Sequence, residues 1–275
     1  MPDKMERGTE LKVLDHGYVR LIDYMGSDET IIEAARMSTG KGFVDWEHDA
    51  GLLEYLWSHR HTTPFEMVEL HVEVQAPILV FRQWHRSRTQ SYNEFSSRYA
   101  QMPDLHYVPD LDRIQAQSKT NKQGSADPID EALAGSIQGR WADEQEEIYD
   151  NYDLAIENGV SKEVARLNTP VSRYSKMRAK TDLKNWLGFE DLRIRPGAQW
   201  ETRQYALALG QIISSLWPRT WALFEEYTLY GCHFSRTEMA AIRMLLSTKQ
   251  DVIMDEKRAK VFWDKLSHGG EEIQS

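Results

Sequence analysis

The segment FEMVELHVEVQ, residues 65–75, restricts most narrowly how this chain can fold. From residue 68 onward its side chains alternate, with apolar groups at 68, 70, 72 and 74 and polar groups between them. Successive side chains of a β-strand point to opposite faces of a sheet, so this period places the apolar groups on one face. The segment is therefore predicted to be a half-buried strand, in a sheet that has one face covered and the other polar.

The rest of the chain has mainly helical periodicity. Before the strand, we predict a strand pair on either side of Asp15-His16-Gly17, then a helix over 29–38 capped by Asp28 and a helix within 45–60. After it, we predict helical segments at 77–86, 129–158, 161–167, 182–191, 198–228 with a break at Pro218, and 235–247. The sequence therefore predicts an α+β fold in which a mixed or antiparallel sheet packs against long helices.

The chain has 275 residues, of which 41% are apolar, enough for a substantial core. The strongest interruption is the polar, turn-rich stretch at about 108–128, which we interpret as a surface loop or lid. We find no repeat and expect a single domain over 1–275, with a C-terminal tail at about 250–275.

Charge and cysteine content exclude several classes of protein. A formal net charge of −10 argues against a nucleic-acid or membrane-surface binder, because such proteins present a broad basic field. The single cysteine, Cys232, excludes an intrachain disulfide and fits a reducing cytoplasm. No apolar run suits a signal peptide or a membrane span, so a soluble protein is expected. His59 and His61 lack an evident third ligand nearby, so we interpret them as hydrogen-bonding or structural residues and expect no metal.

One local stretch is strongly basic in this acidic chain. RQWHRSRTQSYNEFSSRY, residues 82–99, contains four arginines, and its one acidic residue is Glu94. If a helix continues through its first turn, Arg82, Gln83 and Arg86 share a face. The planar guanidinium group binds phosphate or carboxylate oxygens well, and nearby hydroxyls can complete the site. The stretch therefore predicts a pocket for an anionic ligand.

Several blocks together resemble one known family. They are HTTPFE (61–66), the 82–99 stretch, SKTNKQG (118–124), ARLNTPVSRY (165–174) and DLRIRPGAQWETRQYA (191–206). In this order they resemble the flavin-dependent thymidylate synthases, whose hallmark is Arg-His-Arg, seven residues, then Ser. Here the hallmark reads Arg86, Ser87, Arg88, seven residues and Ser96, so Ser87 replaces the histidine. The Pro196-Gly197 pair is a second departure from the family pattern.

The resemblance implies an activity and an assembly. Family members methylate dUMP at C5 to give dTMP, using FAD, methylenetetrahydrofolate as carbon donor and NADPH as reductant, without a covalent enzyme nucleophile. It also implies a homotetramer whose active sites lie between subunits. Three alternatives remain open: methylation of another pyrimidine nucleotide such as UMP, a non-catalytic nucleotide-binding homologue, and RNA binding by the arginine and tyrosine side chains.

The resemblance also assigns roles to residues. Arg193 matches the arginine that faces the pyrimidine, where it would stabilise negative charge developing at N3 and O2, and it is the catalytic candidate. The substrate-binding candidates are Gln83, Trp84, His85, Arg86, Glu94, Phe95, Ser96, Ser97, Arg98, Arg166 and Arg193. The cofactor-binding candidates are His61, Thr63, Arg86, Ser87, Arg88, Thr89, Glu94, Asp182, Lys184 and Gly188.

Overall fold

The structure is a computed structural model, and it describes residues 4–119 and 122–246. Its strands are β1 (Glu10–Val13), β2 (Gly17–Met25), β3 (Glu69–Pro77), β4 (Ser91–Glu94), β5 (Gln115–Gln117), β6 (Ser125–Pro128) and β7 (Tyr174–Asp182). Its α-helices are α1 (Asp28–Arg36), α2 (Trp46–Ser58), α3 (Ile78–Trp84), α4 (Glu131–Glu157), α5 (Lys162–Ala165), α6 (Leu183–Arg193), α7 (Trp200–Leu216), α8 (Pro218–Phe224) and α9 (Arg236–Leu246).

The main sheet has the strand order β1-β2-β3-β7-β4, and all its neighbouring strands are antiparallel. The strand predicted over 65–75 is β3, but it begins at Glu69, because Thr63–Met67 forms a 3₁₀ helix. Its apolar side chains Leu70, Val72 and Val74 are fully buried. The covered face packs against helices, so the predicted α+β class is confirmed and the sheet is antiparallel.

The sequence pattern did not identify two strands of this sheet. β7 alternates as regularly as β3, but its inward positions include Ser175, Ala179 and Thr181, which give little hydrophobic signal. It forms a strand because it pairs with β3 along its whole length. β4 lies inside the arginine-rich stretch and forms an edge strand on β7. The helix predicted over 77–86 is α3 and ends at Trp84, and the arginine-rich stretch is extended only at Ser91–Glu94.

The helical core lies on the covered face of the sheet. Most of α7 is buried, including Leu209 and Ile212, and the predicted break follows at Pro218, the first residue of α8. Proline suits that position because the first turn of a helix needs no backbone donor there. The prediction that Asp28 caps α1 was wrong, because Ser27 is the capping residue. Asp28 is instead buried, and it accepts a hydrogen bond from the Thr220 hydroxyl at 2.6 Å, which ties α1 to α8.

Helix α4 is long but mostly exposed. It begins after Asp130, whose side chain accepts the backbone N–H of Leu133 at 3.0 Å, and its buried residues are Ala134 and Tyr152. Its large apolar side chains Leu133, Trp141 and Leu154 are exposed in the single chain. The core of the chain therefore leaves much of the apolar surface of α4 uncovered.

The stretch at 108–128, predicted as a surface loop or lid, has more structure than expected. It contains a short 3₁₀ turn at Leu111–Arg113 and the antiparallel pair β5–β6. Ile114 is buried there, and the guanidinium of Arg113 forms an ion pair with the buried Glu201. The stretch is therefore anchored to the body of the protein at Arg113 and Ile114.

The chain divides into two compact units, Met1–Leu229 and Tyr230–Ser275. All the site candidates lie in the first unit. The second contributes α9 to the described residues, and the predicted tail at 250–275 lies outside them. The single domain expected over 1–275 stays a prediction. Among the described helices, none is both long and apolar enough to cross a membrane.

Candidate active site

The arginine-rich stretch turns from the end of α3 into the edge strand β4. Trp84 closes the helix and is fully buried, with its indole N–H donating to the side-chain oxygen of Gln90 at 2.9 Å. The Tyr92 hydroxyl donates to the backbone carbonyl of Ser87 at 2.5 Å. Burial raises the pKa of Tyr92 to about 12, so this phenol keeps its proton at neutral pH. Trp84 and Tyr92 therefore stabilise the turn through hydrogen bonds to Gln90 and Ser87. The substrate contact expected of Trp84 stays a prediction.

The turn presents arginine side chains that lack acidic partners. Arg82, Arg86 and Arg88 are exposed, and none forms an ion pair within residues 4–119 and 122–246. The stretch is therefore a concentration of uncompensated positive charge in a chain of net negative charge.

The structure brings Arg193, the catalytic candidate, next to this turn. Its Nη2 donates to the backbone carbonyl of Gln83 at 2.9 Å, which fixes the half-buried guanidinium at the end of α3. Its Nε is buried and has no hydrogen-bond partner in the described part of the chain. Burial lowers the pKa of Arg193, and the positive charge of Arg86 lowers it further. An anion bound beside Arg193 would favour its charged form and so raise this pKa again.

A second basic cluster lies near the start of β7. The Arg166 guanidinium donates to the buried Ser97 hydroxyl at 3.2 Å. Burial lowers the pKa of nearby Arg173; Glu94 opposes this shift, while Arg166 and Arg82 add to it. Arg173 forms no ion pair in the described ranges, and sequence analysis assigned it no role. The available signal was its position in the ARLNTPVSRY block, directly before the buried Tyr174.

Two shallow clefts lie on the outer side of β7. Their volumes are about 340 and 320 Å³, and both are lined by Phe95 and Lys176. Glu94 lies in the smaller cleft and accepts the Ser175 hydroxyl at 2.9 Å. Clefts of this size are at the lower end of the range for small-ligand pockets. Glu94 and Phe95 are therefore accessible, as substrate contact requires.

The remaining substrate candidates have partners within the chain. The Ser96 hydroxyl accepts the backbone N–H of Arg98 at 3.3 Å. Arg98 itself forms an exposed ion pair with Glu163 at 3.1 Å. His85 is half-buried, with its Nε2 3.2 Å from the sulfur of Met177. Arg98 must therefore leave or share an acidic partner to bind a phosphate.

The cofactor candidates come from three segments, and an ion pair joins two of them at the start of α6. The Lys184 ammonium lies 3.8 Å from a carboxylate oxygen of Glu66, which joins α6 to the HTTPFE block. In that block Thr63 is exposed, and the exposed His61 ring packs beside Tyr55 with 5.6 Å between centroids.

The other candidates lie along α6 and beside β4. Asp182 is the N-cap of α6 and accepts the backbone N–H of Asn185 at 2.9 Å, so its carboxylate is already bonded. Gly188 is on the exposed side of the helix, with no heavy atom within 4 Å of where a Cβ would lie. The Thr89 carbonyl accepts the Thr181 hydroxyl at 2.9 Å, which fixes the turn before β4.

These features suit a ligand that contains phosphate. The unpaired guanidinium groups of Arg86 and Arg88, with the exposed Thr89, match the donors that a diphosphate such as that of FAD requires. The buried unpartnered Nε of Arg193 supplies a further donor nearby. Fold and site together define an α+β protein with basic side chains suited to phosphate-bearing ligands beside the edge of an antiparallel sheet.

Comparison with known proteins identifies the family. Residues 20–219 match the family model described as thymidylate synthase complementing protein. Among curated relatives, a flavin-dependent thymidylate synthase of Thermus thermophilus is 45% identical over 245 residues, covering 88% of both chains. The enzyme of that name from Anaplasma marginale is 38% identical over 257 residues, covering 94% of this chain and 88% of the relative. This chain belongs to the flavin-dependent thymidylate synthase family, so the resemblance and the expectation of an enzyme are confirmed.

Solved structures extend the comparison to a bound nucleotide. The UMP/dUMP methylase PolB from Streptomyces cacaoi, bound with 5-Br dUMP, has a TM-score of 0.72 and 28% sequence identity. The match covers 79% of this chain and 98% of that one. A second PolB structure, bound with 5-Br UMP, matches with a TM-score of 0.71.

Proposed function

We propose that this protein converts dUMP to dTMP by reductive methylation at C5, with FAD as cofactor, methylenetetrahydrofolate as carbon donor and NADPH as reductant. The observation that carries this proposal is the placement of Arg193, whose guanidinium is held at the Gln83 carbonyl with a buried Nε left unpartnered. An unpaired cation fixed beside an anion-binding turn is suited to stabilise charge that develops on a bound pyrimidine.

The chain's residues have separate tasks in this proposal. When bound, FAD supplies the redox chemistry that no side chain provides. Arg86, Ser87, Arg88 and Thr89 would hold it at the turn, with His61, Thr63, Glu94, Asp182, Lys184 and Gly188 as further contacts. Gln83, His85, Arg86, Glu94, Phe95, Ser96, Ser97, Arg98 and Arg166 would bind the nucleotide.

Arg193 is the residue to which we assign electrostatic catalysis. Negative charge that it stabilises at N3 and O2 of the pyrimidine would make C5 nucleophilic enough to attack the activated carbon. The chain needs no nucleophile of its own for this step. The single cysteine, the exposed Cys232, has no role in the proposed reaction.

UMP is a second candidate substrate. The observation that favours it is the likeness to PolB, described as a UMP/dUMP methylase and solved with both brominated nucleotides. A non-catalytic nucleotide-binding homologue is supported only by the presence of Ser87 in place of the motif histidine.

The decisive assay follows labelled carbon from methylenetetrahydrofolate into nucleotide. The FAD-loaded protein with NADPH is expected to label dUMP, and parallel reactions with UMP measure the preference between the two. Label in UMP alone would replace the first substrate with the second. Label in neither nucleotide would overturn the proposed reaction and favour the binding homologue.

Ser87 allows a test of the flavin assignment. Because other donors of the turn remain, the wild-type protein should bind FAD despite the missing imidazole. Restoring the ring with Ser87→His is expected to lower the Kd for FAD, measured by titrating apoprotein while following flavin fluorescence. A Kd for FAD that is unchanged or higher would overturn the assignment of Ser87 to the position where an imidazole ring contacts the flavin.

We also propose a homotetramer with active sites between subunits, in the cytoplasm. The exposed Trp141 and Leu154 on α4, 42% and 58% accessible, support the assembly, because the single chain leaves them uncovered. Helix α7, by contrast, is mostly buried in the core of the single chain. Light scattering should give four times the chain mass, and a stable monomer at micromolar concentration would remove the shared site.

A further inference from the structure

A chain of hydrogen bonds runs from the segment before α4 into the candidate active site. The guanidinium of Arg113 donates to both carboxylate oxygens of Glu201, through Nε at 2.8 Å and Nη2 at 3.4 Å. Glu201 is only 4% exposed and also accepts the side-chain amide of Gln199 at 2.9 Å. The amide nitrogen of Gln83 in turn donates to the side-chain oxygen of Gln199.

The chemistry of the groups fixes the direction of this chain. A carboxylate paired with a guanidinium accepts hydrogen bonds and has no hydrogen to donate. Gln199 must therefore turn its NH₂ towards Glu201 and its oxygen towards Gln83. Gln83 must use one N–H on Gln199, which leaves its side-chain oxygen and its second N–H for a ligand. If an uncharged group that can also donate a hydrogen bond replaced Glu201, the side-chain amides of Gln199 and Gln83 could each turn over and exchange the positions of their oxygen and nitrogen.

The chain ends at the catalytic candidate. The backbone carbonyl of Gln83 accepts a hydrogen bond from Nη2 of Arg193 at 2.9 Å. Gln83 therefore contacts Arg193 through its backbone, while its side-chain amide is oriented by Gln199. Arg113 is itself held in place, because its Nη1 donates to Ser125 at 2.8 Å and its guanidinium lies 5.6 Å from the ring centre of Trp200.

We propose that Arg113 is a positioning residue for the nucleotide site, acting through Glu201 and Gln199 to fix the side-chain amide of Gln83 beside Arg193. This inference rests on the proposed function of the same site. It assigns the 3₁₀ turn before β5 a role in nucleotide binding, without direct contact with the ligand.

The test uses the full-length, FAD-loaded protein and calorimetric titration with dUMP and with UMP. Arg113→Ala is expected to raise the Kd of the preferred nucleotide about tenfold, the order expected when a hydrogen bond to a charged group is lost. Flavin content and NADPH oxidation without nucleotide should stay at wild-type values. Arg113→Lys should recover much of the affinity, because an ammonium can restore one charged hydrogen bond to Glu201.

A second buried ion pair provides a matched control. Arg36 pairs with Asp49, and the side chains of Arg36 and Arg113 are each 20% exposed. Arg36→Ala should cost a comparable amount of thermal stability and leave the nucleotide Kd unchanged. If Arg113→Ala does not fold, Glu201→Gln replaces it, since this near-isosteric change removes the group that fixes the direction of the amides.

The outcomes separate this inference from the proposed function. A folded Arg113→Ala or Glu201→Gln protein with wild-type nucleotide affinity would overturn the positioning role alone. A wild-type protein that binds nucleotide without methylating it, and whose affinity still depends on Arg113, would support positioning and overturn the proposed reaction. A wild-type protein that binds neither dUMP nor UMP would overturn both.

Discussion

Replacing Arg193 with alanine is expected to lower the rate of nucleotide methylation by about two powers of ten or more, the loss of roughly 3 kcal/mol of transition-state stabilisation. The bound flavin and the fold should survive, because among the described residues the half-buried guanidinium has one hydrogen bond, to the Gln83 carbonyl. NADPH oxidation without nucleotide should persist, because it does not require the pyrimidine anion. Single-turnover rates with labelled methylenetetrahydrofolate measure the effect.

Two further variants make this test specific. Arg193→Lys should recover only part of the rate, because an ammonium cannot meet two pyrimidine atoms with a planar fork. Arg195→Ala is the control, since its guanidinium pairs with Asp191 and donates to the Thr228 carbonyl at 2.9 Å. It should remain close to wild-type activity. An Arg193→Ala protein that methylates at the wild-type rate would refute the catalytic role.

Replacing Glu190 with leucine is expected to stabilise the protein, and by more at pH 8 than at pH 5. Glu190 is fully buried in α6, and neither carboxylate oxygen has a hydrogen-bond partner in the described part of the chain. A Cβ at Gly210 would lie 3.6 Å from one of those oxygens, so the group packs closely against α7. Burying an unpaired polar group costs about 1–3 kcal/mol, which leucine would remove.

The pH dependence follows from the titration of the same group. Burial raises the pKa of Glu190 well above its usual value, so the folded protein keeps the proton at a pH where the unfolded chain releases it. Below about pH 4.3, the usual pKa of an unfolded glutamate, this carboxyl is protonated in both the folded and the unfolded state and does not change stability with pH. Above it, the wild-type protein loses about 1.4 kcal/mol per pH unit until the folded pKa is reached. The leucine variant lacks this loss.

Urea unfolding at pH 5 and pH 8, at one protein concentration, measures the difference. Glu33→Leu, on the exposed side of α1, is the matched control and should show no comparable dependence on pH. A Glu190→Leu protein no more stable than wild type at pH 8 would mean that the carboxyl has a partner in the assembled protein.

The sequence alone was sufficient to predict those elements whose hydrophobic periodicity is clear within the segment itself. The alternation of 68–75 determined β3 and its covered face, and the helical periods predicted α4 and α7, with a break at Pro218. The arginine-rich stretch indicated an anionic ligand because its charges lack nearby acids. Family membership followed from the order of blocks in the sequence.

Tertiary structure decided what depends on groups far apart in the chain. β7 is a strand because it pairs with β3, although small side chains conceal its period. Gln83 and Gln199 meet across 116 positions, and Arg113 reaches Glu201 across 88, distances over which no local pattern carries information. The sequence places Glu190 on a helix, but only the packing of α6 against α7 removes its carboxyl from water. Hydrophobic periodicity reports which face of an element is buried, whereas the partner of each polar group is set by the elements packed against it.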